Sequence, residues 1–270
     1  MFNVSDKKRV VIKLGTSTLT HKTGKLNIRR MGNLVKVLAD LQNAGKEIIL
    51  VSSGAIGLGV GKLGLREKPK DTPTKQAAAA VGQCELMYLY DDLFENYGIP
   101  VAQILMTKAI LETERRKNVE NTFEKLISMG VIPIVNENDT VAIDELELEI
   151  GENDSLSAIV ANLAKAELLV ILSDIDGLYD SDPRKNPDAK LIPVVTEITD
   201  YIEQIAGGAG SELGTGGMAT KINAARIAGE AGIDMIIMNG SNPYKLYDLF
   251  EDKETGTLFI SNLHKSKNGD

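Results

Sequence analysis

Apolar residues along the chain follow two rhythms. Short runs rich in β-branched residues, beginning with Arg-Val-Val-Ile-Lys-Leu at residues 9–14, predict buried strands. Further runs of this kind lie at 47–52, 101–106, 131–135, 167–172, 191–195, 233–239 and 257–260. Between them apolar residues recur at three-to-four spacing and predict helices. In the first of these, Asn27 is placed to cap, Met31, Leu34, Val35, Leu38 and Leu41 share one face, and Gly45 follows the last turn. Other helices are predicted at 74–97, 112–129, 156–165, 199–205, 222–231 and 244–250, with a short one ending in the glycines of 59–64. Residues 22–25 predict a hairpin tip and 69–73 a charged linker. Acidic and apolar residues alternate over 144–150, which predicts a half-exposed hairpin strand. Residues after Leu263 read as a frayed tail. Strands alternating with helices predict an α/β fold with a mainly parallel sheet covered on both faces. No composition shift divides the chain, so a single domain over residues 1–270 is expected.

The polar residues are placed where such a sheet would use them. Lys13 interrupts the first apolar run near its end, and a lysine in a buried strand is costly unless it meets an anion. Ligands of open α/β sheets sit at the carboxyl ends of the strands, so Lys13 is a candidate phosphate ligand. Ser52-Ser53-Gly54 after the second strand is either a second anion site or a plain helix cap. Asn136, Glu137, Asn138 and Asp139 follow the fourth strand, as an edge site or as turn residues. Asn153-Asp154 opens a helix, where the dipole favours a carboxylate, and Ser173-Asp174 ends the next strand. The glycine-rich stretch 207–221 then runs into a helix and ends on Lys221. Glycine lets backbone N–H groups approach a ligand closely, and a helix start attracts anions. The stretch therefore reads as a polyphosphate cradle, against the plainer reading of a surface loop. It is not a Walker A loop, and the Gly-x-Gly-x-x-Gly match at 59–64 reads as the end of a short helix.

Composition narrows the chemistry. With 270 residues, 43% apolar and 25% charged, the chain is of ordinary globular type. A net charge of −8 argues against nucleic-acid binding, and the N-terminus shows neither a signal peptide nor a membrane span. A cytoplasmic enzyme is expected. Cys84 is the only cysteine, expected as a buried inert thiol, and two distant histidines make a zinc site or a Ser-His-Asp triad improbable. Two lysines, backbone N–H groups and a carboxylate between the lysines suit phosphoryl transfer.

Several pieces in fixed order carry a resemblance: Val-Ile-Lys-Leu-Gly-Thr-Ser at 11–17, Ser-Ser-Gly-Ala-Ile at 52–56, Val-Asn-Glu-Asn-Asp at 135–139 and Gly-Glu-Asn-Asp-Ser-Leu-Ser-Ala at 151–158. Ser-Asp-Ile-Asp-Gly-Leu-Tyr at 173–179 and Gly-Thr-Gly-Gly-Met-Ala-Thr-Lys at 214–221 complete it. Over residues 10–260 the chain resembles the amino acid kinase family, and within it the members that phosphorylate the side-chain carboxylate of L-glutamate for proline synthesis. The resemblance implies a three-layer α/β/α sandwich. It implies that Lys13 and Lys221 contact the transferring phosphate and that Asp154 organises them. Ser53, Asp139 and Asn153 would hold glutamate. Ser173, Asp174, Thr215, Gly216, Gly217, Met218, Ala219 and Thr220, with both lysines, would surround ATP, whose phosphates would carry Mg²⁺ with no metal ligand from the protein. The N-terminal part would mainly bind glutamate and the part from about residue 170 mainly ATP. The C-terminal PUA domain of many members is not expected. A homo-oligomer, dimer or tetramer, is expected, with no membrane or nucleic-acid partner and with hand-over of product to glutamyl phosphate reductase. Other members act on acetylglutamate, aspartate or carbamate. Asp139 discriminates here, since a free amino group wants a carboxylate partner. A non-catalytic nucleotide-sensing module is the alternative of another class, and it would be expected to lose a lysine or Asp154.

Overall fold

The computed structural model describes residues 2–15, 19, 21, 26–107, 113–141, 153–207 and 217–261. Its strands are β1 (Arg9–Leu14), β2 (Glu47–Val51), β3 (Val101–Met106), β4 (Ile132–Glu137), β5 (Leu168–Ser173), β6 (Val194–Val195), β7 (Asp234–Asn239) and β8 (Thr257–Phe259). Its helices, in chain order, are α1 (Ile28–Asn43), α2 (Ala55–Lys62), α3 (Thr72–Glu95), α4 (Thr113–Ser128), α5 (Asn153–Leu163), α6 (Asp200–Gly207), α7 (Met218–Glu230) and α8 (Lys245–Phe250). The hairpin tip at 22–25, the alternating segment at 144–150 and the tail after Leu263 lie outside the described residues.

The chain forms two compact units, residues 14–148 and residues 1–13 with 149–270. In the first, β4 lies between β3 and β2 and pairs with each in parallel, with Leu50 opposite Ile134 and Val101 opposite Ile132. α1 starts as its sequence dictates. The Asn27 side chain accepts from the Arg30 N–H at 3.0 Å, and Gly45 at φ +99° follows its end. Met31, Leu34, Val35, Leu38 and Leu41 are all buried, as the periodicity requires.

α3 begins earlier than the pattern predicts. Asp71 caps it through the Thr74 N–H, and Pro73 sits in the first turn, where its missing N–H has no helical partner to lose. Residues 69–73 are therefore only partly a linker. Cys84 is exposed, which corrects the expectation of a buried thiol. The buried stripe of α3 runs through Ala78, Ala79, Gly82, Gln83, Leu86, Tyr90 and Phe94, and residue 84 falls off it.

In the second unit the strands lie in the order β1-β5-β7-β8-β6. β5 pairs β7 in parallel from Leu168–Asp234 to Ser173–Asn239, whereas β8 pairs antiparallel to β7 and β6 pairs in parallel with β8. Every residue of β5 is buried, as an apolar run covered on both faces should be. The Glu167 N–H donates to Arg9 O at 2.8 Å, so β1 and β5 start side by side. Lys13 and Ser173 accordingly lie toward the same end of this sheet. The chain start is part of this unit's core: Phe2 and Val4 are buried, and the Val4 and Ser5 N–H groups both donate to Asp252 Oδ1, at 2.7 and 2.9 Å.

Candidate active site

α5 opens on Asn153 and carries Asp154 in its first turn. α7 opens after Gly217 and carries Thr220 and Lys221 in its first turn. The helix thus starts at Met218, three residues before the lysine, and Lys221 belongs to the helix rather than to the end of the loop. Gly217 offers no side chain to cap α7, and the Thr220 N–H turns back to the Gly217 carbonyl at 3.2 Å.

The two helix starts meet at one carboxylate. Lys221 Nζ donates to Asp154 Oδ2 at 3.1 Å, and Thr220 Oγ1 reaches the same oxygen at 3.0 Å. From β1, Lys13 Nζ stands 2.6 Å from Asp154 Oδ1 as an ion pair. Asp154 is 1% exposed, and both lysines are buried. Burial by itself pushes the Asp154 carboxyl up. The charges of Lys13 and Lys221 and their hydrogen bonds outweigh it, and the group ends below the usual carboxylate range.

Two ammonium groups thus face one carboxylate in a nearly dry place, beside the positive ends of two helix dipoles. Donors of these kinds are ones that phosphate oxygens can accept from.

Ser173, at the end of β5, is buried, and its Oγ meets Asp174 Oδ1 at 3.2 Å, while the Asp174 side chain is exposed. The Ser173 carbonyl accepts from Gly240 N–H at 2.8 Å, tying β5 to the end of β7. Met218 is half-buried, Ala219 exposed, and Thr215 and Gly216 lie outside the described residues. In the unit of residues 14–148, Ser53 follows β2 and Asp139 follows β4, at the carboxyl ends of paired parallel strands. Ser53 does not cap α2; that place is taken by Gly54 at φ +100°.

Sequence reading overlooked the polar side chains of α3. Tyr90 OH and Ser52 Oγ lie 2.9 Å apart, fully buried, and Asn136 Nδ2 donates to Gln83 Oε1 at 2.9 Å. The signal was present: Ala79, Gln83, Leu86, Tyr90 and Phe94 recur every three to four residues, and polar members of an apolar stripe need partners.

The amino acid kinase family model matches residues 8–239. The chain belongs to the amino acid kinase family. Among its relatives is a protein of Clostridium perfringens named glutamate 5-kinase, 55% identical over 96% of this chain and 97% of its own length. Proteins of the same name from Listeria monocytogenes, 50% identical over 96% of this chain and 95% of theirs, and Moorella thermoacetica, 51% identical over 97% of this chain and 69% of its own, follow the same pattern. Solved structures share the fold at lower identity. A carbamate kinase from Giardia lamblia bound to AMP-PNP superimposes with TM-score 0.66 at 18% identity, covering 96% of this chain and 100% of that one. A UMP kinase from Ureaplasma parvum gives 0.64 at 17%, covering 94% and 99%. Family members thus share the mainly parallel α/β/α architecture expected from the strand and helix pattern.

Proposed function

We propose that the chain transfers the γ-phosphoryl group of ATP to the side-chain carboxylate of L-glutamate, giving L-glutamyl 5-phosphate and ADP, the first step of proline synthesis. The observation that carries this is the lysine pair bridged by Asp154 at 2.6 and 3.1 Å. The acceptor is narrowed by 50–55% identity to relatives named for glutamate.

The chemistry suits a carboxylate acceptor. Glutamate's side chain is ionised at neutral pH, so the reaction needs no general base. Asp154 would be a poor one, since two lysines hold it ionised. A lone pair of the acceptor oxygen forms the new bond to Pγ. The bond from Pγ to the β–γ bridging oxygen breaks, and ADP leaves with that electron pair. Lys13 and Lys221 neutralise the charge spread over the equatorial oxygens, and Asp154 keeps both ammonium groups aimed.

Ser53, Asp139 and Asn153 hold glutamate in this reading, with the Asp139 carboxylate taking the free amino group. Ser173, Asp174 and residues 215–221 surround ATP. Among the described residues no three His, Cys, Asp or Glu side chains converge as a metal cage. Magnesium readily binds through phosphate oxygens and water, so the ion is assigned to the ATP phosphates, where it offsets their charge. No helix among the described residues is long and apolar enough to cross a membrane. We assign the chain, as one kinase domain, to the cytoplasm as a homo-oligomer that hands its labile product to a glutamyl phosphate reductase.

The test is a panel of amino acids with ATP and Mg²⁺, scored by trapping the acyl phosphate with hydroxylamine. Glutamate should give the hydroxamate. Product from N-acetylglutamate or aspartate in its place, or no product from any acceptor, contradicts the assignment.

A further inference from the structure

α3 touches the ends of two neighbouring strands with polar groups, and this is unusual for a buried helix face. Its stripe is otherwise apolar or small: Ala78, Ala79, Gly82, Leu86 and Phe94. Within it, Tyr90 meets Ser52, the residue just after β2, and Gln83 meets Asn136, the penultimate residue of β4. β2 and β4 are paired in parallel with Val51 opposite Val135, and Ser52 N–H continues the ladder to Val135 O at 2.9 Å. Ser52 and Asn136 are therefore adjacent at the carboxyl edge. One residue beyond Ser52 stands Ser53, and three beyond Asn136 stands Asp139.

A third contact pins the same place. Gly82 lies so close to α2 that a Cβ there would sit 1.7 Å from the Ala55 carbonyl oxygen, two residues after Ser53. One face of α3 thus supports both strand-end loops that carry the acceptor-binding residues. Packing alone would be met by Leu or Met at position 83. Instead the Gln83 amide is 8% exposed, and its Nε2 has no hydrogen-bond partner. A buried unmet donor costs roughly 1–3 kcal/mol. The retained amide is explained by what its other end does: Oε1 fixes the orientation of the Asn136 side chain.

We propose that Gln83 is a positioning residue for the amino acid acceptor: by holding the Asn136 amide at the end of β4, it sets the polar edge on which the acceptor is bound. This rests on the glutamate-kinase reading and adds to it a residue that acts through another. Tyr90 does the same for Ser52 at the neighbouring strand.

The experiment is a double-mutant cycle on the full chain with Gln83→Met and Asn136→Ala, measuring KM for glutamate, KM for ATP and the melting temperature. Met fills the space of Gln and removes its unmet donor while Asn136 loses one acceptor, so the melting temperature should move little. KM for glutamate should rise about tenfold in Gln83→Met, with KM for ATP within twofold. Because Gln83 acts through Asn136, the double variant should be no worse than Asn136→Ala alone. Gln83→Glu, whose oxygen can still accept from Asn136, should show a smaller rise, and it keeps the question answerable if Gln83→Met fails to fold. An unchanged KM for glutamate in Gln83→Met, an equal rise in KM for both substrates, or effects that multiply in the double variant overturns the proposal. A wild-type chain inert toward glutamate removes the function reading itself, and this inference with it. An active wild type that the Gln83 variants leave unaltered removes this inference alone.

Discussion

Asp154 keeps a negative charge at 1% exposure because Lys13 and Lys221 flank it. Its folded pKa is depressed below its unfolded value near 4. Its contribution to stability is therefore fully present above about pH 4 and is lost as pH falls through the lower folded value. Unfolding free energy should decline in that acid window. Asp154→Asn should flatten the decline while lowering stability at pH 7 by about 3–5 kcal/mol, because two buried ammonium groups then lose the carboxylate charge between them. Denaturant titrations of both proteins at several pH values check this, and equal acid dependence contradicts it. Much of this residue-scale chemistry was legible in the sequence. A lysine inside an apolar strand and an aspartate opening a helix each break a local rule. A carboxylate between two lysines is suggested by the phosphoryl-transfer reading, but its assignment to Asp154 comes from the family resemblance, because residues 13, 154 and 221 meet solely through tertiary packing. The Thr220 contact to Asp154 was missed for the same reason: as a loop residue it read as an ATP ligand, whereas one helical turn aims its hydroxyl at the carboxylate.

At the scale of elements, α2 and α3 cross at the distance of two bare backbones. A Cβ on Gly59 would meet the Ala78 carbonyl oxygen at 1.8 Å, and one on Gly82 the Ala55 oxygen at 1.7 Å. Gly82→Ala should force the helices apart. It should lower stability by about 1–3 kcal/mol and raise KM for glutamate through Ser53, with KM for ATP little changed. Thermal melts with two-substrate kinetics check this, and a variant indistinguishable from wild type contradicts it. The strands were read well because apolar runs of five or six residues leave little choice. Helix starts were read less well. Pro73 reads as a break in the pattern although a first turn tolerates it, and the glycines before Met218 obscure where its helix begins. The exposure of Cys84 is not legible because an alanine-rich helix lacks a clear polar face, so its buried side shows only in the packing.

At the scale of the whole molecule, the first residues of the chain complete a unit made largely of residues 149–270. Arg9 Nη1 donates to Ala164 O at 2.8 Å at the end of α5, and Lys7 Nζ lies 3.2 Å from Asp234 Oδ2. β1 is thereby seated beside β5, and Lys13 is delivered to Asp154. The chain order of such a unit cannot be read from local periodicity, which is silent on which strand lies beside which. The family match nonetheless spans residues 8–239, which include β1 and the strands it joins. The central claim is that two distant ammonium groups act on one migrating phosphoryl group. It is tested most directly by glutamate-dependent ADP release from Lys13→Ala and Lys221→Ala, each compared with wild type at matched melting temperature. Either change leaves Asp154 paired with the other ammonium group, so the fold should survive. Turnover should fall by at least about 100-fold in both. Folded variants that turn over at the wild-type rate would contradict the account.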